Sequence, residues 1–146
     1  MILNIIIILI ASTADAIMDT ISSHFPTSIF AKISDWKILI KFKYCNKVKL
    51  YQWLNPYYSW KNKWKNGDKN QGEKFLGSST IFVFLSDAWH LFQSIQLNLF
   101  FIFAWFAYNP ELTKLQNLYW FITYRVIYGL WFTLLNDYIL IKKKLL

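Results

Sequence analysis

Residues 79–93 read STIFVFLSDAWHLFQ, and they open the longest apolar segment of the chain. The segment runs from about Ser79 to Tyr108, 30 residues without glycine or proline, whereas a membrane-spanning helix needs about 20. Asp87 and His90 lie three residues apart inside it. A charged side chain in hydrocarbon costs roughly 2.5 kcal/mol or more. The stretch therefore predicts one long spanning helix with an ionisable pair that needs partners.

The composition is typical of a membrane protein. Of 146 residues, 55% are hydrophobic and 21% are aromatic, and eight are tryptophans, which favour membrane interfaces. The net charge is +8, carried by fifteen lysines and one arginine. Because the lysines cluster beside apolar segments, this charge does not favour a nucleic-acid partner. Cys45 is the only cysteine, which excludes an intrachain disulfide and a cysteine-based metal cage.

Two further apolar segments complete the predicted fold. One covers about residues 2–22 and the other about residues 115–141. Together with the segment 79–108, they predict a single all-α membrane domain of three transmembrane helices. A loop of about residues 26–77 joins the first helix to the second.

The predicted loop has two parts. Its first part, SIFAKISDWKILIKFKY (28–44), is interpreted as an amphipathic helix on the membrane surface, with Ser28 as its N-cap. In the second part, tryptophans interleave with lysines, a pattern that also occurs in proteins that bind single-stranded nucleic acid. Beside a membrane the same residues are interpreted as interface anchors. The anchors are Trp53, Trp60 and Trp64.

The lysines predict the orientation of the helices. Eleven lysines lie between Lys32 and Lys74 against three acidic residues, and the tail ends IKKKLL. The connector YNPELTK (108–114) has one lysine and one acid. By the positive-inside rule, the long loop and the C-terminus are cytoplasmic and the N-terminus is outside. The predicted location is the bacterial cytoplasmic, or inner, membrane.

The first segment has an alternative interpretation. An apolar stretch followed by Ala14-Asp15-Ala16 is also found at the cleavage site of a signal peptide. However, no lysine or arginine precedes the apolar stretch, and the polar pattern continues beyond the supposed cleavage site. We therefore expect the segment to remain in the mature protein.

Each apolar segment carries a polar stripe at helical spacing. The predicted orientation brings the stripes towards the same cytoplasmic half of the bundle, with Arg125 near the middle of its helix. Three stripes that face one another would give every polar residue a partner. Their members are Ser12, Asp15, Asp19, Ser22 or Ser23 and, at the helix end, His24; then Asp87, His90 and Ser94, with Ser86 and Gln93 beside them; and finally Arg125, Gly129, Thr133 and Asn136 or Asp137.

Four of these residues are candidate metal ligands. Asp87 and His90, at positions i and i+3, resemble the carboxylate–histidine pairs of metal-binding helical bundles. Asp19 and His24 complete an Asp2His2 set suited to zinc or iron, and a bound water would then serve hydrolysis. Asp15, Arg125, Asp137 and Ser94 are the supporting residues.

The sequence leaves two roles open for Arg125 and a second interpretation for the stripes as a whole. Arg125 is predicted to pair with Asp15 or to bind a substrate phosphate. Alternatively, all the polar residues form hydrogen bonds between helices and hold the bundle together.

Three stretches carry a family resemblance. They are AIMDTISSHF (16–25), SIF (28–30) and SWKNKWKNGDKNQGEKFLGSSTIFVFLSDAWHLFQ (59–93). In this order they resemble a group of small uncharacterised integral membrane proteins of Bacteroidetes-type bacteria and their phages. The resemblance implies that Asp19, His24, Asp87 and His90 belong to the family signature. It implies no activity.

Three functions follow as hypotheses. The first is a membrane protein with a metal-binding, hydrolytic Asp/His cluster. The second is a non-enzymatic membrane subunit or adaptor whose polar stripes lock helices or bind a partner. The third is a holin-like phage protein whose polar faces line a channel in an oligomer. The expected partners are the lipid bilayer and either another protein or further copies of the chain.

Overall fold

The structure, a computed structural model, describes residues 2–33, 39–40 and 48–141. Three of its helices are long and apolar enough to cross a membrane, as the sequence predicted. The helices are α1 (Ile2–Ser23), α2 (Ile29–Ile33), α3 (Leu50–Leu54), α4 (Pro56–Ser59), α5 (Ala88–Ala107) and α6 (Lys114–Thr133). Two short strands, β1 (Leu39–Ile40) and β2 (Val48–Lys49), pair in antiparallel fashion. Single 3-10 turns lie at Phe25–Thr27, Trp60–Lys63, Lys65–Gly67, Lys69–Gln71 and Val83–Leu85.

The three long helices form an antiparallel bundle in which α1 packs against both α5 and α6. We call its two ends the loop end, where residues 24–33 and 48–87 lie, and the connector end, at residues 108–113. At the loop end, Ile21 of α1 packs in a buried cluster with Ala88 of α5. At the connector end, Ile8 packs with Phe103 of α5 and Tyr124 of α6. The central helix α1 therefore supplies the shared core of the bundle.

Small side chains let α6 approach α1 closely. Ser12, Ala16 and Thr20 follow one another at intervals of four residues, so they form one stripe along α1. All three are completely buried. Stripes of small residues at this spacing are typical of membrane helices whose backbones lie close together. The stripe explains how the Ser12 hydroxyl reaches a backbone carbonyl of α6 at 2.8 Å.

The second long helix is shorter than the sequence predicted. It begins at Ala88 rather than near Ser79, because Asp87 adopts an extended conformation and its carboxylate caps the helix. The preceding residues form turns, beginning at Gly77, whose φ is +75°. In these turns the amide of Phe82 donates to the Gly77 carbonyl at 2.8 Å. Asp87 thus lies at the end of α5 and not about 12 Å inside it, as an uninterrupted helix from Ser79 would require.

The third long helix agrees with its predicted range. Thr113 caps α6 through a reciprocal pair of hydrogen bonds with Gln116. The helix continues beyond Thr133 as a π-helical segment, Leu134–Leu140. In this segment the amide of Ile141 donates to the Asn136 carbonyl at 3.0 Å.

The loop differs from its predicted helix. Ser28 does act as a cap, since its hydroxyl accepts from the amide of Phe30 at 3.2 Å, but the described helix is only Ile29–Ile33. Leu39–Ile40 is a strand. Residues 34–38 and 41–47 of the predicted helix, and the tail 142–146, lie outside the described residues.

One predicted interface anchor belongs to the core instead. Trp53 is buried in the loop-end cluster, where it packs with Ile21 and Phe25. It reaches this position because α3 lies beneath the loop end of the bundle. Trp60, by contrast, is exposed, and its ring lies 5.6 Å from the Lys61 ammonium.

Candidate functional site

The polar stripe of α1 faces α6. The Ser12 hydroxyl donates to the backbone carbonyl of Tyr128 at 2.8 Å. One residue further on, the Trp131 indole N–H donates to the Thr13 hydroxyl at 2.9 Å. Near the connector end, the Asn4 amide donates to the Tyr124 hydroxyl at 3.4 Å. These bonds join the two helices along most of their length.

The stripe continues to the loop end through Asn136. The Asn136 amide oxygen accepts from the Thr20 hydroxyl, and its nitrogen donates to the Asp19 carboxylate, both at 2.8 Å. Asn136 is buried and lies within the π-helical segment. A π-helical turn changes the direction of the side chains that follow it. Asp19, a predicted metal ligand, is therefore bound to an asparagine of α6.

Tyr128 joins all three long helices. Its hydroxyl donates to the Asp15 carboxylate of α1 at 2.7 Å and accepts from the Gln96 amide of α5 at 2.9 Å. The Arg125 guanidinium lies 5.6 Å from the centre of the Tyr128 ring. Between described residues Arg125 forms no salt bridge. The predicted Arg125–Asp15 ion pair is therefore wrong, because Tyr128 stands between the two groups and binds the carboxylate itself.

Asp87 and His90 do form a pair, at the loop end of α5. The Asp87 carboxylate accepts from the His90 amide at 2.9 Å, and His90 Nδ1 lies 2.7 Å from the same oxygen. Lys63 adds a salt bridge to Asp87 at 3.7 Å. Asp87 is buried, and this one carboxylate caps the helix, orients an imidazole and anchors a loop lysine. The contact at Nδ1 leaves Nε2 as the free nitrogen of the ring.

The four predicted metal ligands are divided between separate contacts. Asp87 is bound to His90, Asp19 is bound to Asn136, and His24 lies just beyond the end of α1. Among residues 2–33, 39–40 and 48–141, no three His, Cys, Asp or Glu side chains form a group able to hold a metal ion. The described structure thus brings together one Asp–His pair rather than the Asp2His2 set. Binding of zinc or iron stays a prediction.

The supporting residues are also separated. Ser94 contacts Asn98 within α5, at 3.5 Å between side chains, rather than His90. Asp137 follows Asn136 in the π-helical segment. It lies at the loop end of the bundle, the end for which the sequence predicted it. The Arg125 guanidinium lies over Gly129 of the same helix: a Cβ there would lie 3.3 Å from its Nη1.

A carboxylate organises the turn that leads to α5. Glu73 accepts from the amide of Gly77 at 2.8 Å, from the amide of Ser79 at 3.1 Å and from the Ser79 hydroxyl. The Ser79 hydroxyl and these two backbone N–H groups hold the pKa of the Glu73 carboxyl below its ordinary value of 4.5. The turn is joined to Lys63, whose carbonyl accepts from the Ser78 hydroxyl at 2.6 Å.

A cleft of about 740 Å³ lies between α5 and α6, with Ile8 of α1 also lining it. Most of its lining is aromatic or aliphatic. Arg125, Gln96 and Tyr128 bring polar groups to one end of the cleft, and Tyr108 and Asn117 line the connector end. Pockets of this size and composition are typical of sites for small apolar molecules with one polar group.

Sequence reasoning missed Tyr128 and Gln96, which connect the three helices. Neither belongs to the charged and small polar residues that define the stripes. A tyrosine hydroxyl at membrane depth also needs a partner. Tyr124 and Tyr128 are four residues apart, so the same helical spacing would have placed both hydroxyls on the face that meets α1.

Comparison with protein-family models, with curated proteins and with solved structures found no match to this chain. The resemblance to small membrane proteins of Bacteroidetes-type bacteria and phages, carried by residues 16–30 and 59–93, therefore stays a prediction.

Proposed function

We propose that this chain is a non-enzymatic integral membrane subunit, a three-helix scaffold that holds a binding cleft within the bilayer. The observation that carries the proposal is the contrast between its polar groups. Ser12, Asp15 and Asp19 of α1 are all engaged by α6. Arg125 instead lines a cleft between α5 and α6. Polar residues that bind one another stabilise a scaffold, whereas a cation beside an apolar cleft is available to a ligand.

The same contrast favours this function over the channel hypothesis. A channel needs polar faces that remain available to line an aqueous path in an oligomer. In the described residues, the polar face of α1 is directed into its own bundle, against Tyr128 and Asn136. The outer faces of α5 and α6 are instead rich in exposed apolar residues such as Phe101 and Leu130, which suit contact with lipid.

In the proposed topology the loop end and the C-terminus are cytoplasmic and the N-terminus is outside. The lysine imbalance supports this orientation: eleven lysines lie between the first two spans and one in the connector. Reporter fusions at Gly67 and after Leu146 should both give cytoplasmic signals. Opposite signals from the two fusions would contradict the three-span topology.

Photo-crosslinking in native membranes tests the binding function. A photoreactive phenylalanine analogue replaces Phe121, which lines the cleft, or Phe101, which is exposed on α5 and does not line it. We expect a discrete adduct of defined mass from the Phe121 position and only heterogeneous lipid adducts from the Phe101 position. Equal, heterogeneous labelling at both positions would show that the cleft is ordinary lipid-facing surface and would contradict the proposal.

The Asp87–His90 pair favours a second candidate function, acid–base chemistry at the loop end. The Asp87 carboxylate holds the His90 imidazole through Nδ1. The other ring nitrogen, Nε2, is then positioned to accept a proton from a water or hydroxyl group. If this function operates, purified protein should hydrolyse a panel of phosphate and carboxylate esters, and His90→Ala should abolish the activity. His24→Ala is the control. Equal activity in both variants, or none in the unmodified protein, would count against it.

A further inference from the structure

We propose that the ligand of the cleft between α5 and α6 is a long-chain carboxylate, with its carboxylate on Arg125 and its hydrocarbon chain along the aromatic walls. This inference rests on the proposed binding function and names the ligand class. It begins with the position of Arg125, the twelfth residue of the span Lys114–Leu140. At 1.5 Å per residue, its Cα lies about 16 Å along the axis from the start of α6.

A guanidinium at this depth needs an anion. Arg125 cannot be deprotonated, and a charged side chain at the centre of a spanning helix is costly unless it is paired. Within the described residues its contact is with the Tyr128 ring, and no carboxylate lies within salt-bridge distance. Asp15, the carboxylate nearest in the network, is already bound by the Tyr128 hydroxyl. The cleft that Arg125 lines is therefore a site for an external anion.

The walls of the cleft select a thin apolar chain. Phe103 and Tyr124, both buried, are in contact with ring centres 5.3 Å apart, and Phe100 and Tyr128 at 6.0 Å, so α5 and α6 meet at the base of the cleft. A partner helix, roughly 10–12 Å in diameter with its side chains, does not fit between two helices that are in contact there. A single hydrocarbon chain is narrow enough to lie along them. The volume of about 740 Å³ lies within the range of roughly 300–1,000 Å³ that is usual for small-molecule sites.

The length of the cleft suits such a chain. On α5 its lining extends from Gln96 to Ala107, which lie eleven positions apart, or about 16 Å at 1.5 Å per residue. The polar groups Gln96, Arg125 and Tyr128 lie at the deeper end, so the carboxylate belongs there and the chain extends towards the connector end. A phospholipid phosphate lies at the membrane interface and carries a second chain, so it matches neither the depth of Arg125 nor the single slot.

The test uses the full-length protein in nanodiscs of zwitterionic phosphatidylcholine. A photoactivatable analogue of palmitate is crosslinked, and the labelled residues are located by mass spectrometry. We expect labels on cleft residues of α5 and α6, competed by palmitate and at least tenfold less well by hexadecanol, because a hydrogen bond to a charged group is worth more than a factor of ten.

Variants identify the cation. Arg125→Gln should reduce labelling of the cleft about tenfold, Arg125→Lys should retain much of it, and Lys114→Gln, which removes the cation at the start of α6, should leave it unchanged. Gel filtration and helical circular dichroism establish that each variant is folded. Should Arg125→Gln misfold, the comparison of palmitate with hexadecanol on the unmodified protein still decides the matter.

The alternatives give different results. Equal competition by hexadecanol and palmitate would overturn the role of Arg125 as the anion site. Loss of palmitate labelling in nanodiscs that contain phosphatidylglycerol would assign the cleft to an anionic lipid headgroup and would also overturn the proposal. A discrete adduct at the Phe121 position without palmitate labelling would refute the ligand class alone. Absence of any discrete adduct there would refute the binding function itself.

Discussion

The central helix α1 meets its two neighbours in different ways. Towards α6 it uses directional bonds, among them Ser12 to the Tyr128 carbonyl and Thr20 to Asn136. Towards α5, the one side-chain hydrogen bond between described residues is from Asn4 to the Phe106 carbonyl at 3.3 Å. The rest of that interface is apolar packing, even though both helices lie against the same 22-residue helix.

The difference indicates how each helix is held in lipid. Lipid chains are as apolar as leucine, so burying apolar side chains against one another gives little driving force there, and packing and hydrogen bonds decide. The polar contacts fix α6 in register along its length. The helix α5 is instead held by Asn4 at the connector end, by Asp87 with Lys63 at the loop end, and by the bond from Gln96 to the Tyr128 hydroxyl between them. A cleft between α5 and α6 can then exist without loss of the scaffold.

The largest expected effect comes from breaking the close contact between α1 and α6. Ser12 is completely buried, so the larger side chain of Ser12→Leu would force α6 away and should lower the free energy of unfolding by about 3 kcal/mol. Ser12→Ala keeps the space and removes only the bond to Tyr128, which should cost about 0.6 kcal/mol. Reversible unfolding in bicelles measures both. Equal losses would mean that the backbones do not depend on a small residue at this position.

A smaller effect is expected from removing the polar group at the start of α5. Asp87→Ala removes the helix cap and the partner of Lys63, and it should cost about 1–2 kcal/mol. Asp87→Asn keeps an acceptor for the cap, so its loss should be smaller. Asp68→Ala, which removes the cap of a 3-10 turn in the loop, is the control. Faster amide exchange in the first turn of α5 should follow Asp87→Ala only. If Asp68→Ala had the same effect there, α5 would not be anchored through Asp87.

The sequence predicted the bundle but not its contacts, and particular residues show why. The three apolar segments were enough for the three-helix fold, and the helical spacing of Asp15 and Asp19 placed both carboxylates on one face of α1, the face that meets α6. They did not reveal that Asp87 caps α5, because an acceptor at an N-cap and one inside a helix look alike in a sequence without Gly or Pro nearby. Nor did they reveal that Tyr128 separates Arg125 from Asp15, since that depends on the rotation of α6 about its axis.

The smallest expected effect concerns the turn that precedes α5. Glu73 is half-buried and its pKa is lowered, mainly by the Ser79 hydroxyl, so the folded turn binds a proton less readily than the unfolded chain. Its stabilising contribution is therefore present above the ordinary pKa of 4.5 and is lost as the pH falls through the lower, folded pKa.

Carbon-13 NMR of the Glu73 carboxyl should accordingly give a titration midpoint below 4.5, and the amide signals of Gly77 and Ser79 should shift with the same midpoint. In Glu73→Gln those amide signals should not titrate. Because the Lys63 carbonyl accepts from Ser78, loosening this turn should reach Lys63 and weaken its contact with Asp87. A midpoint at or above 4.5 would show that the turn does not bind the carboxylate, and α5 would then be anchored by Asp87 without help from the turn.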